Sequence, residues 1–188
     1  MTHDPYDLII KHGKVVDGSG LPAFTADVAI RDGRIAKVGR VEGSARRTID
    51  ASGKVVDLGG AFSEEGFNWR PAEGVRSVRE VLLHTASANF FLGSVLGAKI
   101  PDDVNPRELE NTVEGKDEVL EVLKRSIDFA SAAVKELPEE ELATEVDLFG
   151  RKAPKMMAVM IIGAHANEHL GQLIAYARTN RIVPPWSR

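Results

Sequence analysis

Two rhythms of apolar and polar positions divide this chain. Up to about residue 57 the apolar residues alternate or fall in short runs, the pattern of strands. YDLIIKHG alternates and stops at Gly13, and KVVDGSG runs into a Gly/Ser turn. DVAIRDGRIAKVG places two short apolar runs on either side of Asp32-Gly33, a pair that favours a tight hairpin. RRTIDASGKVVD repeats the arrangement, with Ser52-Gly53 as the expected turn.

From about Ser63 the spacing becomes helical. Ser77 and Glu80 have the spacing of a capping box and open a helix through VREVLLHTASANFFLGSVLG. KDEVLEVLKRSIDFASAAVKEL is a second, amphipathic helix with Val119, Leu120, Leu123, Ile127 and Ala130 on its apolar side, and Pro138 follows its end. A third helix starts near Pro154, runs through MMAVMIIGAHANEHLGQLIAYART and stops before Pro184-Pro185. Its first half is apolar nearly all round, so it is expected to be the most buried helix. A closed antiparallel bundle normally has four helices, and a β-rich stretch stands where the fourth would be. The predicted fold is α+β. A small β-rich segment, residues 1–57, precedes an incomplete helical bundle, residues 58–188.

Composition narrows the chemistry. The 188 residues carry a formal charge of −4, with basic residues scattered rather than striped, which argues against nucleic acid as a partner. The chain contains no cysteine, so thiolate ligands and disulfides are excluded, and any zinc-type site must use histidine and carboxylate. No apolar run approaches the ~20 residues of a membrane span. MTHDPYDLII lacks the features of a signal peptide, so a cytoplasmic location is expected.

The last helix holds the candidate chemistry. His165 and His169 stand four residues apart, on one helical face and separated by roughly 6 Å of rise, so both can reach a single ion. A stable site needs a third protein ligand. His3 lies near the terminus and His12 beside Gly13 at a strand end, whereas His84 projects from a neighbouring helix among apolar residues. His84 is the natural third ligand. Read singly, each histidine is as easily a hydrogen-bonded core residue; their placement together favours a shared metal. The order His165-x-x-Glu168-His169 also matches the inverzincin peptidases, in which the glutamate is the general base. That reading needs a further acidic ligand downstream, and Gln172 to Arg188 contain none.

The stretch from about Leu58 to Ser187 resembles the DinB-like family of metal-binding four-helix-bundle proteins. FNWRPAEGVRSVREVLLHTASANFFLG, EVDLFGRKAPK and GAHANEHLGQLIAYARTNRIVPPWS carry the resemblance. The family pattern is one histidine in the second bundle helix and an H-x-x-x-H pair in the last, followed by G-Q. Those positions are His84, His165 and His169, with Gly171 and Gln172 after them. The resemblance implies a divalent metal, often nickel or zinc, held by three histidines with open positions, and it implies frequent dimerisation. YDLIIKHGKVVDGSG, ADVAIRDGRIAKVG and IDASGKVVDLGG resemble the N-terminal β-segment of amidohydrolases of the D-aminoacylase and dihydroorotase type. The H-x-H that opens the catalytic barrel there does not follow here, so that chemistry is not carried over.

The chain thus reads as a fusion near Asp57 to Ala61 in which LGGAFSEEGFNWRP is the tail of a first helix. Its open groove predicts a homodimer or higher homo-oligomer. Three neutral imidazoles leave a metal with an open position, suited to hydrolysis of a small ester, phosphoester or amide. Glu168 and Gln172 are the candidate catalytic residues. Asn167 and Tyr176 join them as candidates to orient the histidines, Asn89 as a candidate lining residue, and Trp69 and Trp186 as packing at the bundle ends. A metal-dependent thiol transferase of the DinB-like type and a non-catalytic metal-binding oligomer are the alternatives.

Overall fold

Asp32 and Gly33 both adopt positive φ (52° and 70°), the geometry that a two-residue hairpin requires. They join β2 (Phe24–Arg31) to β3 (Arg34–Gly39), as the apolar pattern predicts. The structure, a computed structural model, describes residues 5–15, 24–50 and 53–187. β1 (Tyr6–Val15) pairs antiparallel with β2 and parallel with β4 (Ala45–Asp50), giving the sheet order β3-β2-β1-β4. Ile9, Ala29 and Val41 form a small core on this sheet. Beside it, Lys11 Nζ donates to Asp27 Oδ2 and to the Val41 carbonyl, both at 2.9 Å.

The chain divides into two compact units between Lys54 and Val55 rather than after Asp57. The reason is local: Lys54–Gly60 is a helix, α1, not the second strand of a hairpin. Val55 and Leu58, three residues apart, share one face and are buried in the helical core, which overrides the β preference of Val-Val. Ala51 and Ser52, half of the predicted turn with Ser52-Gly53, lie outside the described residues.

Three long helices follow, α3 (Val78–Val95), α5 (Lys116–Glu136) and α6 (Lys155–Thr179), with short α2 (Glu64–Phe67) and α4 (Leu109–Thr112) between them. The capping box is complete: Ser77 Oγ accepts from the Glu80 N–H, and the Ser77 N–H donates to Glu80 Oε2 at 2.7 Å. α3 is the central helix. It pairs with α5 through Asn89 and Ser126 and through Phe90 and Phe129, so residue numbers rise together and the two helices run parallel. It pairs antiparallel with α6, which passes Leu96 at Lys155 and Arg76 at Tyr176. The parallel pair forces a long crossover, residues 97–115, back along the bundle. Gly93 makes close approach possible, since a Cβ there would stand 2.5 Å from Phe129 Cε1. Trp69 and Trp186 pack against the main core, Trp69 edge-on to Tyr176 at 5.2 Å.

The first half of α6 is not the most buried part. Met157 is 43% and Met160 56% exposed, while α3 buries ten of its residues. The bundle is incomplete, and α1, only seven residues long, reaches Leu82 and Leu120 through Gly59 but goes no further. One hairpin was not anticipated from the apolar pattern. β5 (Glu145–Leu148) and β6 (Arg151–Pro154) turn at Phe149-Gly150, where Phe149 sits at φ 56°. A bulky residue in the left-handed region costs about 1–2 kcal/mol.

Gly93→Ala should destabilise the helical unit by about 1–3 kcal/mol through overpacking against Phe129. Calorimetry on the full chain should show a lowered Tm for the helical transition, and an unchanged Tm would show that α3 and α5 separate easily.

Candidate metal centre

α3 and α6 cross so that three imidazoles face one another. His84 comes from the apolar face of α3, and His165 and His169 come from successive turns of α6. His165 Nε2 lies 3.2 Å from His84 Nε2 and 3.1 Å from His169 Nε2, and one ring nitrogen from each residue falls within 4.8 Å of the others. Nitrogen ligands at ~2.0–2.1 Å around a tetrahedral ion stand about 3.3 Å apart, so two of these separations are near those of a bound set.

The hydrogen bonds around the rings determine what those nitrogens carry. The Tyr176 hydroxyl donates to the Arg76 carbonyl at 3.1 Å, so it accepts from Gln172 Nε2 at 2.8 Å. That turns Gln172 Oε1 towards His169 Nδ1, 2.8 Å away. An amide oxygen accepts only, so the proton of His169 is on Nδ1 and its Nε2 presents a lone pair. His84 Nδ1 faces Glu110 Oε1 at 3.6 Å, which favours the proton on that side and a lone pair on Nε2. Arg76 in turn holds Glu110 through Nε at 3.1 Å and Nη2 at 3.4 Å. With two lone pairs already aimed inward, His165 Nε2 has one proton at most to share between two acceptors. The cluster is electron-rich, and a cation satisfies all three nitrogens at once.

Two of the rings, His165 and His84, are also disposed to stay neutral, as ligation requires. Burial pushes the His165 pKa down to about 4, helped by the His169 and His84 imidazoles. His84 is lowered for the same first reason, with Arg76 and His169 adding to it and Glu110 opposing.

The structure brings together His84, His165, His169, Gln172 and Tyr176. Glu168 is exposed on α6 and makes no hydrogen bond to any described residue, although its charge acts on His165. Asn167 is exposed and donates to the Gly163 carbonyl, away from the rings. Asn89 is buried in the α3–α5 contact, where its Nδ2 donates to Ser126 Oγ at 3.1 Å; it does not line the site. His3 and the side chain of His12 lie outside what the structure describes. Glu110 and Arg76 were missed by sequence reasoning. Both are ordinary surface charges in the sequence, and only the crossover's path places Glu110 beside His84.

The fold and the cluster define a helical bundle with a three-histidine centre suited to a metal. Residues 53–173 match the model of the DinB superfamily. The chain belongs to that superfamily. A DinB-like protein from Bacillus cereus superposes with a TM-score of 0.61 at 20% identity, covering 71% of this chain and 88% of that one. A DinB-like protein from Bacillus subtilis gives 0.55 at 23% identity, covering 70% and 87%. The β-rich segment is similar to part of other proteins. A D-hydantoinase from Rhizobium radiobacter is 50% identical over 54 residues, 29% of this chain and 11% of that protein. An N-acyl-D-glutamate deacylase from Alcaligenes xylosoxydans xylosoxydans is 39% identical over 83 residues, 38% of this chain and 17% of that protein. The chain therefore spans less than a fifth of either curated relative. No helix among the described residues is long and apolar enough to cross a membrane.

Gln172→Leu should weaken zinc binding about 10- to 100-fold, since it removes the partner that fixes the His169 tautomer. Tyr176→Phe should weaken it less. Competition with a chromophoric chelator measures both, and wild-type affinity in Gln172→Leu would show that the hydrogen-bond chain does not orient the ligand.

Proposed function

We propose that this protein is a metal-dependent hydrolase of small ester, phosphoester or amide substrates. The observation that carries the proposal is the convergence of three imidazole nitrogens, with a hydrogen bond from Gln172 that turns the His169 lone pair inward and a carboxylate that faces the outer nitrogen of His84. His84, His165 and His169 would hold a divalent ion, with zinc and nickel both suited to imidazole ligands. Such an ion supplies Lewis acidity and acidifies water towards neutral pH. Gln172 holds His169 in the ligating tautomer, and the Glu110 carboxylate, 3.6 Å from His84 Nδ1, favours the same tautomer there. Glu168, exposed beside His169 and electrostatically felt at His165, is the proposed proton acceptor.

The purified protein should contain about one divalent ion per chain, lost when His84, His165 and His169 are all replaced by alanine. Ion content unchanged in that variant would overturn the metal reading. Glu168→Gln should keep the ion and lower kcat on p-nitrophenyl acetate by about 10²-fold or more. Full activity in this variant removes Glu168 from the mechanism, and a rate strictly dependent on added thiol favours a thiol transferase instead.

A further inference from the structure

A cleft of about 460 Å³ opens onto two of the three histidines, His84 and His165. It adjoins a second cleft, of about 500 Å³, and the two share Ser87, Phe91 and Arg107 as a common wall. The chemistry of the lining is one-sided. Phe91, Leu92, Phe149 and Ile161 make it apolar, and no carboxylate lines either cleft. Ser87 Oγ already donates to the Pro106 carbonyl at 2.7 Å. The Arg107 guanidinium is exposed and has no hydrogen bond or ion pair with any described residue. A cationic group without a partner, at the rim of an apolar cleft, complements an anion.

Phe149 supplies an independent observation. It is 67% exposed, in a turn position where a left-handed backbone favours glycine or asparagine. Its ring meets that of Phe91, itself 36% exposed, at 5.2 Å and 34°. Folding alone gains little from an exposed aromatic ring on a strained backbone, and such outliers point towards function. Here the ring stands in the wall of the cleft that leads to the histidines.

We infer that this cleft selects substrates with three parts: a metal-ligating reactive group, a flat apolar ring held by Phe91 and Phe149, and a separate anionic group met by Arg107. The inference rests on the metal reading above and assigns Phe149 and Arg107 as specificity-determining residues. They touch the body of the substrate and leave the ion alone.

Hydroxamates test the three parts separately, read by the visible spectrum of the cobalt-loaded protein. Acetohydroxamate probes the ion alone, benzohydroxamate adds the ring, and 3- and 4-carboxybenzohydroxamate add the anion. Benzohydroxamate should bind about threefold to tenfold more tightly than acetohydroxamate, the scale of one aromatic contact. One of the carboxylated probes should gain about a further tenfold, the scale of one charge-assisted hydrogen bond. Arg107→Ala should abolish only the gain from the carboxylate. Phe149→Asn, which suits the turn, should abolish much of the gain from the ring without lowering Tm. Equal affinity for all four probes would overturn the inference and leave the metal centre standing. A protein that takes up no cobalt would overturn both. A Phe149→Asn variant with a lowered Tm and undiminished benzohydroxamate binding would make Phe149 a folding residue only.

Discussion

The bond from the Tyr176 hydroxyl to the Arg76 carbonyl sets the direction of everything that follows it. A backbone carbonyl can only accept, so the tyrosine must donate there and accept from Gln172. The amide is thereby oriented, and its oxygen fixes the proton on the far side of His169. Three hydrogen bonds, each with its polarity imposed by the last, thus carry a constraint from the start of α3 to the centre of the bundle. Tyr176 is nearly buried, and its ring packs on Trp69, so the first link is held by the core itself. Packing and imidazole chemistry are in this sense one arrangement: the side chain packed against Trp69 also decides which nitrogen of His169 faces inward.

Much of this was legible in the sequence, for identifiable reasons. The three long helices announce themselves by periodicity and by the Ser77–Glu80 box, whose reciprocal bonds are formed as the pattern predicts. The Asp32-Gly33 hairpin is equally local, since turn chemistry acts within a few residues. The histidines were legible because polar rings are rare in apolar helical faces and because a four-residue spacing has one geometric meaning in a helix. The failures have the opposite character. Lys54–Asp57 reads as strand by residue type, yet it opens the helix Lys54–Gly60 because Val55 and Leu58 find a helical core to enter. The first half of α6 reads as core because its residues are apolar. Its exposure depends on how many neighbours the fold provides, and residue type does not contain that number. Glu110, Arg76, Arg107 and Phe149 lie in connections, where function depends on the path of the chain in space.

The two units solve the burial problem on different scales. The β-rich unit has a core of a few residues supported by the Lys11–Asp27 pair. The helical unit buries a continuous cluster from Val55 to Ala177, and the polar exceptions within α3 and α5 are satisfied: Thr85 donates to the Val81 carbonyl, and Asn89 donates to Ser126, which donates to the Leu123 carbonyl. Such a buried polar pair adds little net stability but disfavours other registers of the two helices.

The parallel course of α3 and α5 has a further meaning. A short turn would have made these helices antiparallel, and nothing would then have passed along the outside of the bundle. The crossover instead retraces its length and delivers Arg107 to the rim of the cleft and Glu110 to the back of His84. The three histidines belong to long helices, whereas Arg107 and Glu110 belong to a connecting segment that lies outside those helices. The histidine cluster and part of its surroundings are thus built on separate stretches of the chain, so a change in the crossover can alter what stands beside the rings while the helices keep the three nitrogens where they are.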